Sequence, residues 1–182
     1  MPGYKSEITK RINKEDIEKM IRICNNIRDM CIIALLYLIP LRPSELLEIK
    51  KEDIEIKEDG TITLYVTTKK TGKKNMPKRQ FIIKPEDTLI YKVIYKYLSY
   101  AKKMTQNKIF NINDSRIRQI IYNLSKKAIG IQICPYTFRH NRLTKLANEG
   151  ANINDLMYAK GCIDIRSISP YLHGKPQKVE ID

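Results

Sequence analysis

Arg42 stands in an unusual place for a cation. It directly follows the apolar segment CIIALLYLIPL, and Glu45 comes three residues later. A guanidinium held at the edge of a buried element, with an acid to orient it, can grip an anion through two parallel N–H bonds. The other chemistry-bearing groups are of the same kind. There are eleven Tyr, but only two His and four Cys. Cys24, Cys31, Cys134 and Cys162 stand apart with no C-x-x-C pair, so neither a zinc site nor a disulfide framework is expected. No G-x-x-x-x-G-K-[ST] or G-x-G-x-x-G run occurs, and no Asp-rich signature of a two-metal nuclease. Cations and hydroxyls remain. Together they can work on a phosphodiester without metal or cofactor. Guanidinium groups hold the non-bridging oxygens, a hydroxyl attacks, and an acid protonates the leaving oxygen.

These groups need elements to position them. Asn13 and Asp16 open a helix with Ile17, Met20, Ile21 and Cys24 at helical spacing. The segment from about Ile27 to Leu38 is apolar almost all round and predicts a central buried helix, stopped by Pro40. Ser44 reads as the N-cap of a short helix, SELLEI. TITLYVTT and RQFII are β-branched and alternating, and predict a hairpin with the basic tip TKKTGKKN. Pro85 opens a further helix to about Lys103, and Asp114 or Ser115 caps another. Helices follow from near Tyr136 to Gly150 and from about Asn154 to Gly161, with a last short one at Ser169–Leu172. Cys24, Cys31 and Cys134 read as plain core thiols, Cys162 as a small packing residue. The fold class is mainly α with a small antiparallel β-hairpin or sheet.

At the scale of the chain, 182 residues suffice for one domain with its own core. The 42% hydrophobic content excludes a disordered polycation, yet the net charge is +14. That excess points to a polyanion, nucleic acid before an acidic membrane surface. The charge is uneven. Residues before Thr61 carry eleven basic and twelve acidic groups; those from Thr61 on carry twenty-three and eight. The densest stretch, Thr67–Arg79, holds six basic residues and no acid. A second, from Lys108 to Lys145, holds eight and one. The longest apolar run, Met30–Ile39, is half a membrane span, and the N-terminus has no apolar signal core. A reduced, cytoplasmic, metal-free protein is expected.

Four segments in order resemble the tyrosine recombinases of the phage-integrase family. LLYLIPLRPSELLE (Leu35–Glu48) resembles the family's LLxxTGLRxSEL, and YTFRH (Tyr136–His140) its HxLRH box. LTKLANEG (Leu143–Gly150) and MYAKGCIDIRSISPYLH (Met157–His173) resemble the fatxLlxxG and LGHxsixtTxxYxH segments that close the pattern. The resemblance implies that fold and its chemistry. Arg42 and Arg139 match the two phosphate-binding arginines, Glu45 the acid that orders their pocket, and Tyr171 the nucleophile. Lys70 at the hairpin tip matches the lysine that protonates the leaving oxygen, with Lys69, Lys73 and Lys74 as rivals and DNA contacts. Arg142 is a further DNA contact, and His140 a supporting histidine. Two positions depart. Tyr136 stands where most members have His, and its phenol, with an ordinary pKa of about 10, is a poor base near neutrality. Cys162 replaces a His or Trp, and a thiol is a weak donor. Tyr136 implies an archaeal-type member.

The implied activity is site-specific recombination of double-stranded DNA at an attachment site, as in integration of a mobile element, virus or plasmid. It would proceed through a 3′-phosphotyrosine link, with assembly as a dimer or tetramer on DNA and no cofactor or membrane. Two alternatives stay open: a catalytically impaired DNA-binding relative, and a type IB topoisomerase or telomere-resolvase-like strand transferase. Residues 1–173 read as the catalytic domain and 174–182 as a tail that packs on a neighbouring subunit. The N-terminal core-binding domain of most members is expected to be absent.

Overall fold

The computed structural model describes residues 10–68 and 77–172. Helix α1 (Lys14–Arg22) begins with a reciprocal cap: Asn13 accepts from the Asp16 N–H, and Asp16 accepts from the Asn13 N–H. Helix α2 (Ile27–Leu38) buries a continuous stretch from Cys31 to Leu36. Apolar on every side beyond its first turn, which holds Arg28 and Asp29, it is the central post of the fold. The chain turns extended at Ile39, where Pro40 prevents another helical turn.

Helix α3 (Pro43–Leu46) corrects the expected Ser44 cap. Pro43, with no N–H to satisfy, occupies the first helical position, which makes Arg42 the N-cap residue. Glu45, third in the helix, reaches back to accept from the Arg42 N–H at 2.8 Å.

The sheet has three strands, not the two of a simple hairpin. β1 (Ile54–Ile56), β2 (Ile62–Val66) and β3 (Arg79–Ile83) pair antiparallel in that order. Val66 stands opposite Arg79, and Ile62 opposite Ile83. The basic hairpin tip, 69–76, lies outside the described residues.

Four longer helices complete the chain. α4 (Leu89–Ala101) starts at Thr88, whose hydroxyl accepts from the Tyr91 N–H, rather than at Pro85. α5 (Asp114–Ile129) is capped by Asn113 rather than by Asp114 or Ser115, and ends at Gly130 in the left-handed region, φ +71°. α6 (Pro135–Asn148) is preceded by Cys134, whose backbone N–H donates to the Thr137 hydroxyl at 3.2 Å. Cys134 is therefore a half-buried cap residue, unlike the buried Cys24 and Cys31. α7 (Ile153–Lys160) ends at Gly161, φ +62°, and two 3-10 turns follow, Ile165–Ser167 and Ser169–Tyr171.

Helices α1, α4 and α6 pack on α2, and α5 closes the far side of α1. The chain ahead of α1 is stitched to α6 by one amide. Asn141 accepts from the Ile12 N–H at 3.2 Å and donates to the Lys10 and Thr137 carbonyls at 2.7 and 2.8 Å. Among the described residues no helix is long and apolar enough to cross a membrane, and no His, Cys, Asp and Glu cluster is spaced to hold a metal ion.

Candidate active site

Glu45 is the hub. Its carboxylate is fully buried and meets three guanidinium groups: Arg42 and Arg79 at 2.8 Å each, and Arg139 at 3.5 Å. The elements make this meeting unavoidable. The short helix α3 turns Glu45 inward, β3 brings Arg79 from the sheet, and the first turns of α6 bring Arg139. Three cations around one carboxylate leave two positive charges without a partner at this hub. Uncompensated buried charge is costly, so the arrangement is built for an anion.

The three arginines are not equivalent. Arg42 keeps 15% of its side-chain surface exposed, against 4% for Arg79 and 5% for Arg139. Arg42 is thus the guanidinium most open to a ligand. Arg139 is anchored on two carbonyls, donating to Pro40 at 2.6 Å and also to Lys160. Burial pushes Arg139 down to about 10; the Arg42 charge acts in the same direction, and Glu45 opposes both. Burial also lowers Arg79, again against Glu45.

Arg79 is the site residue that sequence reasoning missed. It looked like the last residue of the basic run Thr67–Arg79. In fact Lys78 pairs with Asp53, and Arg79 turns inward onto Glu45. Arg79 also donates to the Thr68 hydroxyl at 3.0 Å and the Ala159 carbonyl at 2.6 Å, and lies over the Phe81 ring. The available signal was register: position 79 opens a strand and pairs with the fully buried Val66.

Tyr171 lies in the last 3-10 turn, half-buried. Burial raises its phenol, while Arg139 pulls it down and Cys162 pushes it up. The His140 ring stands 5.3 Å from the Tyr171 ring, and the Lys160 amine lies 5.1 Å from the ring centroid, over its face. Burial and the Lys160 charge lower His140. The expected set Arg42, Glu45, Arg139, His140, Cys162 and Tyr171 is therefore linked by contact or by charge. Cys162 is half-buried, with its thiol 3.8 Å from the Met157 carbonyl. Tyr136 sits in the first turn of α6, one turn ahead of His140. Arg142 lines a groove of about 630 Å³ along Tyr37, Phe81 and Lys84, and its buried Nε has no hydrogen-bond partner among the described residues. Lys69, Lys70, Lys73 and Lys74 lie outside the described residues, as does the 174–182 tail.

The chain is similar in sequence to tyrosine recombinase XerC of Staphylococcus aureus strain JH9, 28% identical over 164 residues. That alignment covers 85% of this chain and 51% of XerC, so the chain spans about half the length of the curated relatives it matches. Its fold is similar to the crystal structure of XerA recombinase, with a TM-score of 0.71 and 21% identity over 93% of this chain and 62% of that one. The XerH site-specific recombinase, solved bound to its difH substrate before cleavage, gives a TM-score of 0.71 at 14% identity, covering 92% of this chain and 51% of that one. The model of the phage integrase family matches residues 10–178, and with that match the chain belongs to the phage integrase family.

Proposed function

We propose that this chain is the catalytic unit of a site-specific DNA recombinase that cuts and rejoins strands through a 3′-phosphotyrosine link. The observation that carries the reading is the surplus of two positive charges where three arginines share Glu45. A phosphodiester carries one negative charge, and attack by a tyrosine oxygen raises this to two on the pentavalent phosphorus. A fixed cationic pocket favours the second state over the first, which is what lowers a barrier.

In this reading Tyr171 attacks phosphorus. Its phenol proton passes to solvent water, its O–P bond forms as the bond to the 5′-oxygen breaks, and Lys70 of the hairpin supplies the proton to that leaving oxygen. Arg42 and Arg139 hold the non-bridging oxygens, and Glu45 fixes both. The 5′-hydroxyl of a partner strand then reverses the step, so the bond energy is kept in the protein–DNA ester. Tyr136 and Cys162 act as hydrogen-bonding supports, while Arg142, Lys69, Lys73 and Lys74 grip the DNA backbone. The unit works on double-stranded DNA at an attachment site, assembles there as a dimer or tetramer through its 174–182 tail, and acts in the cytoplasm.

The test is covalent trapping on a nicked suicide substrate. Tyr171→Phe is expected to abolish the adduct while DNA binding persists; an adduct formed by the variant would overturn the assignment. A second reading, a DNA-binding relative without catalysis, is favoured by Tyr136 and Cys162. Absence of any adduct from the parent chain, on a site it binds, would establish that reading instead.

A further inference from the structure

Lys160 has no part in the scheme above, yet it touches more of the site than any other lysine among the described residues. Its carbonyl accepts from Arg139, its amine donates to the Ser167 carbonyl, and the same amine lies over the Tyr171 ring. It therefore spans from the end of α7 to the turns that carry Tyr171. The groups around it are Arg42 and Arg139, Cys162, His140 and Tyr171. Among the described residues no carboxylate lies within ion-pair distance of its amine. A lysine in so cationic a setting is not there to balance an acid.

We propose that Lys160 is a positioning residue for Tyr171, whose charge over the ring makes the phenol easier to ionise and whose bond to Ser167 holds the ring in place. The inference rests on the reading of Tyr171 as the nucleophile. The physical need is plain. Burial and Cys162 both work against the phenolate, and Arg139 opposes them. A cation over an aromatic face is attracted to the ring and more strongly to the anion that the ring becomes. Neither Tyr136 nor Cys162 carries a positive charge in its protonated form. Lys160 supplies that charge from the next residue but one before Cys162. The fold holds it there: Gly161, left-handed at φ +62°, turns the chain sharply after Lys160 and sends it back toward Ser167. Burial lowers the Lys160 amine, with Arg139 and Arg42 acting in the same direction. Each of these disfavours the ammonium, so an anion beside it, such as the Tyr171 phenolate, is what keeps it protonated.

The experiment needs no DNA, so it stands apart from the cleavage test. The chain is prepared with 3-fluorotyrosine at position 171 and titrated by fluorine NMR. The ring fluorine withdraws electrons and moves the phenol's ionisation toward lower pH, the direction in which the Lys160 amine keeps its proton. Lys160→Met is expected to raise the Tyr171 midpoint by about one pH unit, or about tenfold less phenolate at a given pH. Lys160→Gln keeps a donor for Ser167 without the charge and is expected to give the same rise in a chain whose melting temperature is nearly the parent's. Lys160→Arg restores the parent midpoint. An unchanged midpoint in the Met and Gln variants would overturn the proposal, as would a rise that Arg fails to reverse. If Tyr171→Phe still forms an adduct, the nucleophile reading falls on its own, and the titration still reports whether Lys160 acts on the phenol.

Discussion

Glu45 carries more of this molecule than any other single side chain. Its two oxygens serve one backbone N–H and three guanidinium groups. Glu45→Gln keeps the shape and removes the charge, which leaves three cations facing each other. Breaking a buried ion cluster in this way costs about 3–5 kcal/mol. The expected outcome is a urea midpoint lowered accordingly, together with loss of strand cleavage. His140 gives a second prediction. Its folded pKa lies below the ordinary 6.5, because burial and Lys160 disfavour the charged ring. The unfolded chain then binds the proton more readily, so stability falls as pH drops through 6.5 toward the folded pKa. The melting temperature should decline over that window, and His140→Phe should flatten the decline. Arg42, Glu45, Arg139 and Tyr171 were picked out through the family resemblance of the short segments that hold them, and the structure links them by contact or charge. Arg79 and Lys160 were not picked out. One looked like the tail of a charge run, and the other like an ordinary last-turn lysine of a helix.

At the scale of elements, the sequence was most readable where periodicity was strong. The largely apolar α2 and the strand RQFII fall where expected, at Ile27–Leu38 and Arg79–Ile83. Three-residue β1 was not legible, since IEI shows too little alternation and becomes a strand only by pairing with β2. Starts of helices shifted by one to four residues, because several residues compete to cap and only packing chooses between them. The sharpest element-level prediction concerns two glycines. Gly130 and Gly161 both end helices in the left-handed region, so alanine is strained at either by about 1–2 kcal/mol. At Gly130 a new methyl meets nothing within 4 Å, whereas at Gly161 it would lie 2.9 Å from the Arg79 guanidinium. Gly161→Ala should therefore lower the urea midpoint more than Gly130→Ala. It should also reduce cleavage, which Gly130→Ala should leave unchanged.

For the whole molecule the governing quantity is charge. The surplus of +14 arises entirely after Gly60. Along the sequence, much of it falls in the stretch Thr67–Arg79 and after Lys108. Binding to DNA by such a chain releases counterions, with a slope of about −0.9 in log affinity against log salt for each phosphate neutralised. Fluorescence anisotropy from low to physiological NaCl should show a steep linear fall, and a flat response would remove DNA-backbone contact as the source of affinity. One feature of the fold acts on this scale in a different way. Asn141 lies two residues from Arg139 on the same helix and holds the backbone at Lys10 and Ile12. A pull on the chain at Lys10 is thus delivered to the helix that carries Arg139. The site has a mechanical input, carried by one amide side chain together with the Lys10 bond to the Gln132 carbonyl and the buried Ile12.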